Sequence, residues 1–184
     1  MKINQAFLLM GAAIVMAASA VAAPTCVSVL GADVTTLNGG GGCTVGNLTF
    51  SNFQVNLAGG SGTPIINLSG VYNPSAGPEP PAGEVGLNFN PNLGNGSLVT
   101  DIHFNFTVSG TTLGIFLYNG GTSSTAIQER VCTLGESTSG ACTGVDIADL
   151  LANGGTSAGP VGYTGGGQNQ VFVWKDINIA NVST

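Results

Sequence analysis

Few side chains in this sequence could act as an acid, a base, a nucleophile or a metal ligand. The single histidine, His103, stands in "TDIHFNFTV" with Asp101 and Asn105 two residues to either side. Residues at i, i+2 and i+4 line one face of a strand, so this trio could shuttle a proton or hold a metal ion. The plainer expectation is the solvated face of an antiparallel sheet, which carries the same alternation. Among Glu79, Glu84, Asp101 and Glu129 no spacing selects a pair of carboxylates for glycosidase-type acid and base work. "GGSGT" and "STSGA" lack the strand-to-helix setting of a serine nucleophile elbow. No catalytic residue is assigned, no enzyme is expected, and a hydrolase is the weakest reading.

Two kinds of binding site remain. Calcium takes carboxylate and carbonyl oxygens; its candidates are Asp146 and Asp149 in "GVDIADLL" and Asp33 near the first cysteine pair. No EF-hand or glycine-rich calcium repeat accompanies them, and an acidic helix N-terminus explains Asp146 and Asp149 equally. No cofactor is required by these residues, and calcium is the one they could accommodate. A glycan would dock on exposed rings. Trp174 and Tyr118 are the candidates, ahead of Tyr72 and Tyr163, although Trp174 lies beside Phe172 in a strand and core packing competes.

The four cysteines, Cys26, Cys43, Cys132 and Cys142, have spacings that favour Cys26 with Cys43 and Cys132 with Cys142, each pair bracketing a local loop. A zinc site would want closely spaced cysteine pairs or more histidines. A reactive thiolate would want a basic neighbour, which Cys43 and Cys142 lack. Two structural disulfides follow, each worth roughly 3 kcal/mol in the chain-entropy model. The glycines before Cys43 would let the chain turn back sharply.

An oxidising destination fits the N-terminus. Lys2 and the apolar run "AFLLMGAAIVMAASAVAA" read as a secretory signal peptide over residues 1–22, with Ala20-Val21-Ala22 as the cleavage box. The alternative is an uncleaved N-terminal anchor, since roughly 20 apolar residues suffice to span a bilayer. Residues 23–184 then form one domain, with no further membrane segment expected. After the leader only Arg130 and Lys175 are basic, against nine acidic residues. Nucleic-acid binding, which needs clustered Lys and Arg, is excluded on that count.

The elements that must position these residues read as strands. Leu48 and Phe50 share a face, and Phe53, Val55 and Leu57 continue it one residue out of phase, which predicts a β-bulge at Ser51-Asn52. "TPIINLSGVY", "EVGLNF", "VTDIHFNFTVSG", "TTLGIFLYNGG", "STAIQERVC" and "QVFVWKDINIANV" follow as further strands, with "STAIQERVC" a candidate neighbour of "TTLGIFLYNGG". "NPSAGPEPPAG" reads as a rigid surface connection. "TGVDIADLLANGG" reads as the one helix, with Leu150 and Leu151 facing inward and Asn153-Gly154 ending it. Short strands divided by Gly, Asn and Ser turns predict a mostly β, antiparallel β-sandwich, jelly-roll-like, with one short helix and two local disulfides.

Several of these segments together carry a resemblance. "CTVGNLTFSNFQV", "GLNF", "TDIHFNFTV", "ERVC" and "VFVWKDINIA" resemble the extracellular domain of bacterial exosortase-sorted (PEP-CTERM) proteins across nearly all of the chain after the leader. That resemblance implies a secreted, mostly β protein tied to the cell surface or to exopolysaccharide and biofilm matrix, without catalysis. Members of that family end in Val-Pro-Glu-Pro, a transmembrane helix and a basic cluster; here "GPEPP" lies mid-chain at Gly77 to Pro81, so a chain without the sorting tail is expected. The functional expectation is a structural or adhesive protein. Its low charge and an N-terminal segment free after cleavage would suit self-assembly by strand donation. Its partners would be itself or exopolysaccharide. A monomeric carbohydrate-binding module is the alternative: an aromatic row on one exposed face would favour the module, an unpaired strand edge assembly.

Overall fold

The structure is a computed structural model that describes residues 25–26, 34–60, 65–73, 84–92, 100–120, 124–135 and 140–179. Residues 1–22, where a signal peptide is expected, Asp33, and the proline-rich connection with Glu79 lie outside these residues. Among the described residues there are ten strands: β1 Cys43–Val45, β2 Leu48–Gly59, β3 Ile65–Asn73, β4 Glu84–Asn92, β5 Asp101–Thr112, β6 Gly114–Asn119, β7 Thr125–Cys132, β8 Asp146–Asn153, β9 Thr156–Gly162 and β10 Gln168–Ile179. Every strand pairing is antiparallel. One six-stranded sheet has the order β1-β2-β5-β10-β7-β8, and two separate ladders, β3-β4 and β6-β9, supply a second layer.

Alternation decides which face of the large sheet is buried. Along β5, Ile102, Phe104, Phe106 and Val108 are buried while Asp101, His103 and Asn105 are half-exposed. Along β10, Val171, Val173 and Ile177 face the same core as the β5 phenylalanines. Phe53 and Phe104 stack at 6.2 Å, and Phe104 and Phe106 meet at 5.2 Å. Each such side chain taken from water contributes about 1.5–3 kcal/mol. The expected bulge is present: the β2–β5 register shifts between Ser51 and Gln54, and Asn52 adopts φ 55°. That extra residue brings Phe53 onto the core face, where it is almost fully buried.

Both disulfides join the expected cysteines, with Cα–Cα distances of 4.9 Å for Cys26–Cys43 and 5.5 Å for Cys132–Cys142. Two disulfides mark a chain suited to an oxidising, extracellular environment. Cys43 opens β1, so it clamps the N-terminal segment to the sheet. Gly42 makes the approach possible: at φ 96° a Cβ there would lie 2.0 Å from the Phe50 carbonyl oxygen. A bridge from Thr25 to Thr44 ties the same segment again. The N-terminal segment expected to be free for donation is therefore anchored at Thr25 and Cys26.

Two expectations are corrected. Residues 146–153 form strand β8 and not a helix, because β7 offers an edge and the segment has usable period two. Ala148, Leu150 and Ala152 are buried while Asp149, Leu151 and Asn153 are exposed, so Leu150 and Leu151 face opposite ways. The short helix is instead a 3-10 segment at Val34–Gly40, inside the first disulfide loop, held by the Asn38 side chain on both the N–H and the carbonyl of Phe53. "STAIQERVC", read as a neighbour of "TTLGIFLYNGG", pairs with β10 and β8; the partner of β6 is β9, which sequence reading missed.

Candidate functional site

The second layer does not cover the large sheet evenly. The β3-β4 ladder packs near β1 and the 3-10 helix, while β6-β9 packs over β7 and β8. Between them, above the central strands β5 and β10, lies a cavity of about 750 Å³. Every residue from Val85 to Phe89 of β4 and from Gly114 to Asn119 of β6 lines it. Side chains of successive strand residues point to opposite faces, so consecutive lining residues mean that the backbone of each strand, and not one row of side chains alone, borders the space. Among the described residues β4 pairs with β3 and β6 with β9, and the two do not pair with each other.

The floor of the cavity carries the largest departure from the sequence reading. Lys175 follows Trp174 in the alternation and so falls on the core face, opposite Glu129 of β7 in register. Both are buried, and Lys175 Nζ lies 2.5 Å from Glu129 Oε2. Burial pushes the Glu129 carboxyl above its ordinary value and the Lys175 ammonium below its own, and each is pulled back in part by the charge and hydrogen bond of the other. The ammonium also sits 4.7 Å from the Phe89 ring centroid and 6.0 Å from that of Phe106, an arrangement that offsets part of the lost hydration. Only strict period-two counting through "FVWKDIN" could have placed Lys175 inside, against the general rule that lysines stay out.

The opposite face of the large sheet gathers the remaining polar candidates. Asn105, Trp174, Arg130 and Asp149 are consecutive cross-strand partners, and His103 pairs with Asp176 one step along. Trp174 is only 6% exposed: the His103 ring lies 5.4 Å to one side, the Arg130 guanidinium 5.8 Å away, and Gly140 packs against it. A Cβ on Gly140 would meet Trp174 Cζ2 at 2.8 Å, and the Gly140 carbonyl accepts a 2.6 Å hydrogen bond from Arg130 Nη1.

Arg130 also takes two of the three calcium candidates, with Nε 3.2 Å from Asp146 Oδ2 and Nη2 3.2 Å from Asp149 Oδ2. Their charge is met by a guanidinium on a strand, not by a helix N-terminus. Asp101, His103 and Asp176 each offer a ligand-type atom, all within 4.8 Å of one another. Burial, reinforced by the Asp101 carboxyl and opposed by His103, raises the Asp176 carboxyl from 3.8 to about 6.

The two glycan candidates are not brought together. Trp174 is covered on the outer face of the large sheet, whereas Tyr118 is 47% exposed on β6 in the other layer, beside the cavity. Tyr163 is buried beside the cavity, and the Tyr72 side chain lies outside the described residues. Among the described residues, no helix is long and apolar enough to cross a membrane. No family model, curated protein or solved structure matches the chain.

Proposed function

We propose that the protein is a secreted structural or adhesive component of a bacterial extracellular matrix or cell surface, and that it self-assembles by accepting an extended segment of a second copy between β4 and β6. One observation carries this reading: among the described residues two strands that do not pair with each other, β4 and β6, border a largely apolar cavity over the centre of a six-stranded sheet. Edge strands are ordinarily blunted by charge or proline; β4 carries Glu84 and Pro91 near its two ends, and the stretches that border the cavity, Val85–Phe89 and Gly114–Asn119, contain neither. Both stretches match the usual strand length of 5–6 residues. An added strand would gain ladder hydrogen bonds on both sides and put alternate side chains into the cavity.

The disulfides and the leader-like N-terminus support export, and the resemblance to exosortase-sorted proteins supports the matrix and exopolysaccharide setting. A monomeric carbohydrate-binding module fits less well, because Trp174 is covered and Tyr118 stands alone on the opposite layer. Electron microscopy with light scattering on the native secreted protein tests the proposal. Filaments or concentration-dependent oligomers are expected; a monodisperse monomer at high concentration would overturn assembly and turn attention to glycans.

A further inference from the structure

We propose that Asp101, His103 and Asp176 form a binding site for a divalent transition metal ion, with Zn²⁺ as its best-matched occupant. The site is independent of the β4–β6 opening, since it lies on the opposite face of the large sheet. Register fixes its frame: His103 and Asp176 are direct partners across the β5–β10 ladder, and Asp101 is two residues from His103 on the same face. The donor set is one imidazole nitrogen and two carboxylates. An imidazole turns the preference from calcium or magnesium towards zinc and its neighbours.

Tetrahedral zinc bonds of about 2.0–2.2 Å place two ligand atoms about 3.3–3.6 Å apart. The three ligand atoms already lie within 4.8 Å of one another, so side-chain shifts on the order of 1 Å close the shell. The fourth position would fall to water, as at open zinc sites.

A separate observation points to a cation. One oxygen of each carboxylate, Asp101 Oδ1 and Asp176 Oδ1, is shielded from solvent with no donor group on it, and the two carboxyl groups lie close enough to share a hydrogen bond with each other. Two carboxylates held together repel unless a proton or a cation intervenes. The two basic residues after the leader are committed elsewhere: Lys175 meets Glu129 on the opposite face, and Arg130 is held by Asp146, Asp149 and the Gly140 carbonyl. A metal ion would supply the missing charge and use the His103 ring as its third ligand.

Calorimetric titration of the chelator-treated full protein with zinc chloride near pH 7, with thermal melts of each sample, tests the site. One ion per chain and a raised melting temperature are expected for the native protein. Asp176→Asn and His103→Ala should each weaken binding at least about tenfold and lose the thermal shift, while Asp149→Asn binds as the native protein does. Asp176→Asn keeps the side-chain shape, and melts without zinc establish that each variant is folded. No stoichiometric uptake, or uptake unchanged in both site variants, would overturn the proposal. Stability that varies with pH but not with zinc would assign the carboxylates a shared proton and overturn it too.

Discussion

Lys175 and Asp176 are adjacent in sequence and lie on opposite faces of the central strand. Lys175 meets one carboxylate at 2.5 Å among phenylalanine rings, with both partners buried. Asp176 joins an open polar face where Asp101, His103, Arg130, Asp146 and Asp149 share charge with each other and with water. The inner pair has little but itself to lean on, so its value depends on both members being present. The outer group is redundant and solvated, so any one member matters less. Burial, more than the number of ion pairs, thus decides how much a charge contributes on this sheet.

The sharpest way to break the contrast is Lys175→Met. Removing one partner strands a buried carboxylate and should cost about 3–5 kcal/mol, whereas Lys175→Met with Glu129→Leu should recover most or all of that loss. Urea unfolding of both variants is the check; equal losses in the two would show that the pair is not coupled.

Next in size is the Cys132–Cys142 disulfide, which holds Gly140 against Trp174. Replacing Cys132 and Cys142 by alanine should cost about 2–3 kcal/mol. It should also shift the emission of Trp174, the chain's single tryptophan, to longer wavelength. Unchanged emission would mean that the disulfide does not shield the ring.

Asp176→Asn should act with the opposite sign. The native fold raises this carboxyl to about 6 from 3.8, so the folded state holds a proton more tightly than the unfolded chain. That preference favours folding at low pH and is lost as pH rises through about 6. In metal-free protein the substitution should therefore stabilise above about pH 6, by on the order of 1 kcal/mol once solvent screening is allowed for, and do little near pH 4. Thermal melts across that range check it, and a gain confined to low pH would reverse the assignment. Smallest of all, Asp149→Asn should cost under about 1 kcal/mol and less still in high salt. A loss as large as that of Lys175→Met would erase the difference between the faces.

Much of this frame is legible in the sequence because period two is strong where the strands are long. The faces of β5 and β10, the bulge at Asn52 and both disulfides follow from alternation and spacing. Residues 146–153 misled because "DIADLL" has capping acids and helix formers, while the deciding influence, the free edge of β7, is tertiary. β9 is hidden for a related reason: "TSAGPVG" has weak strand propensity and is a strand because β6 needs a partner. The metal-type cluster is half legible. Asp101 and His103 share a face by spacing, but Asp176 joins them only through a cross-strand register that no local pattern reveals. The cavity is invisible to periodicity, because it is a gap between ladders and not a property of any one of them.

The position of β10 also governs when the protein can fold. Residues 168–179 form the strand that joins β5 on one side to β7 on the other. Until that segment has emerged, β1-β2-β5 and β7-β8 are two unconnected half-sheets, and the inner faces of β5 and β7 have no shared neighbour. A chain threaded N-terminus first through a translocation channel would therefore stay loosely structured until residue 179 had passed, and would then close its large sheet in a single late, long-range step.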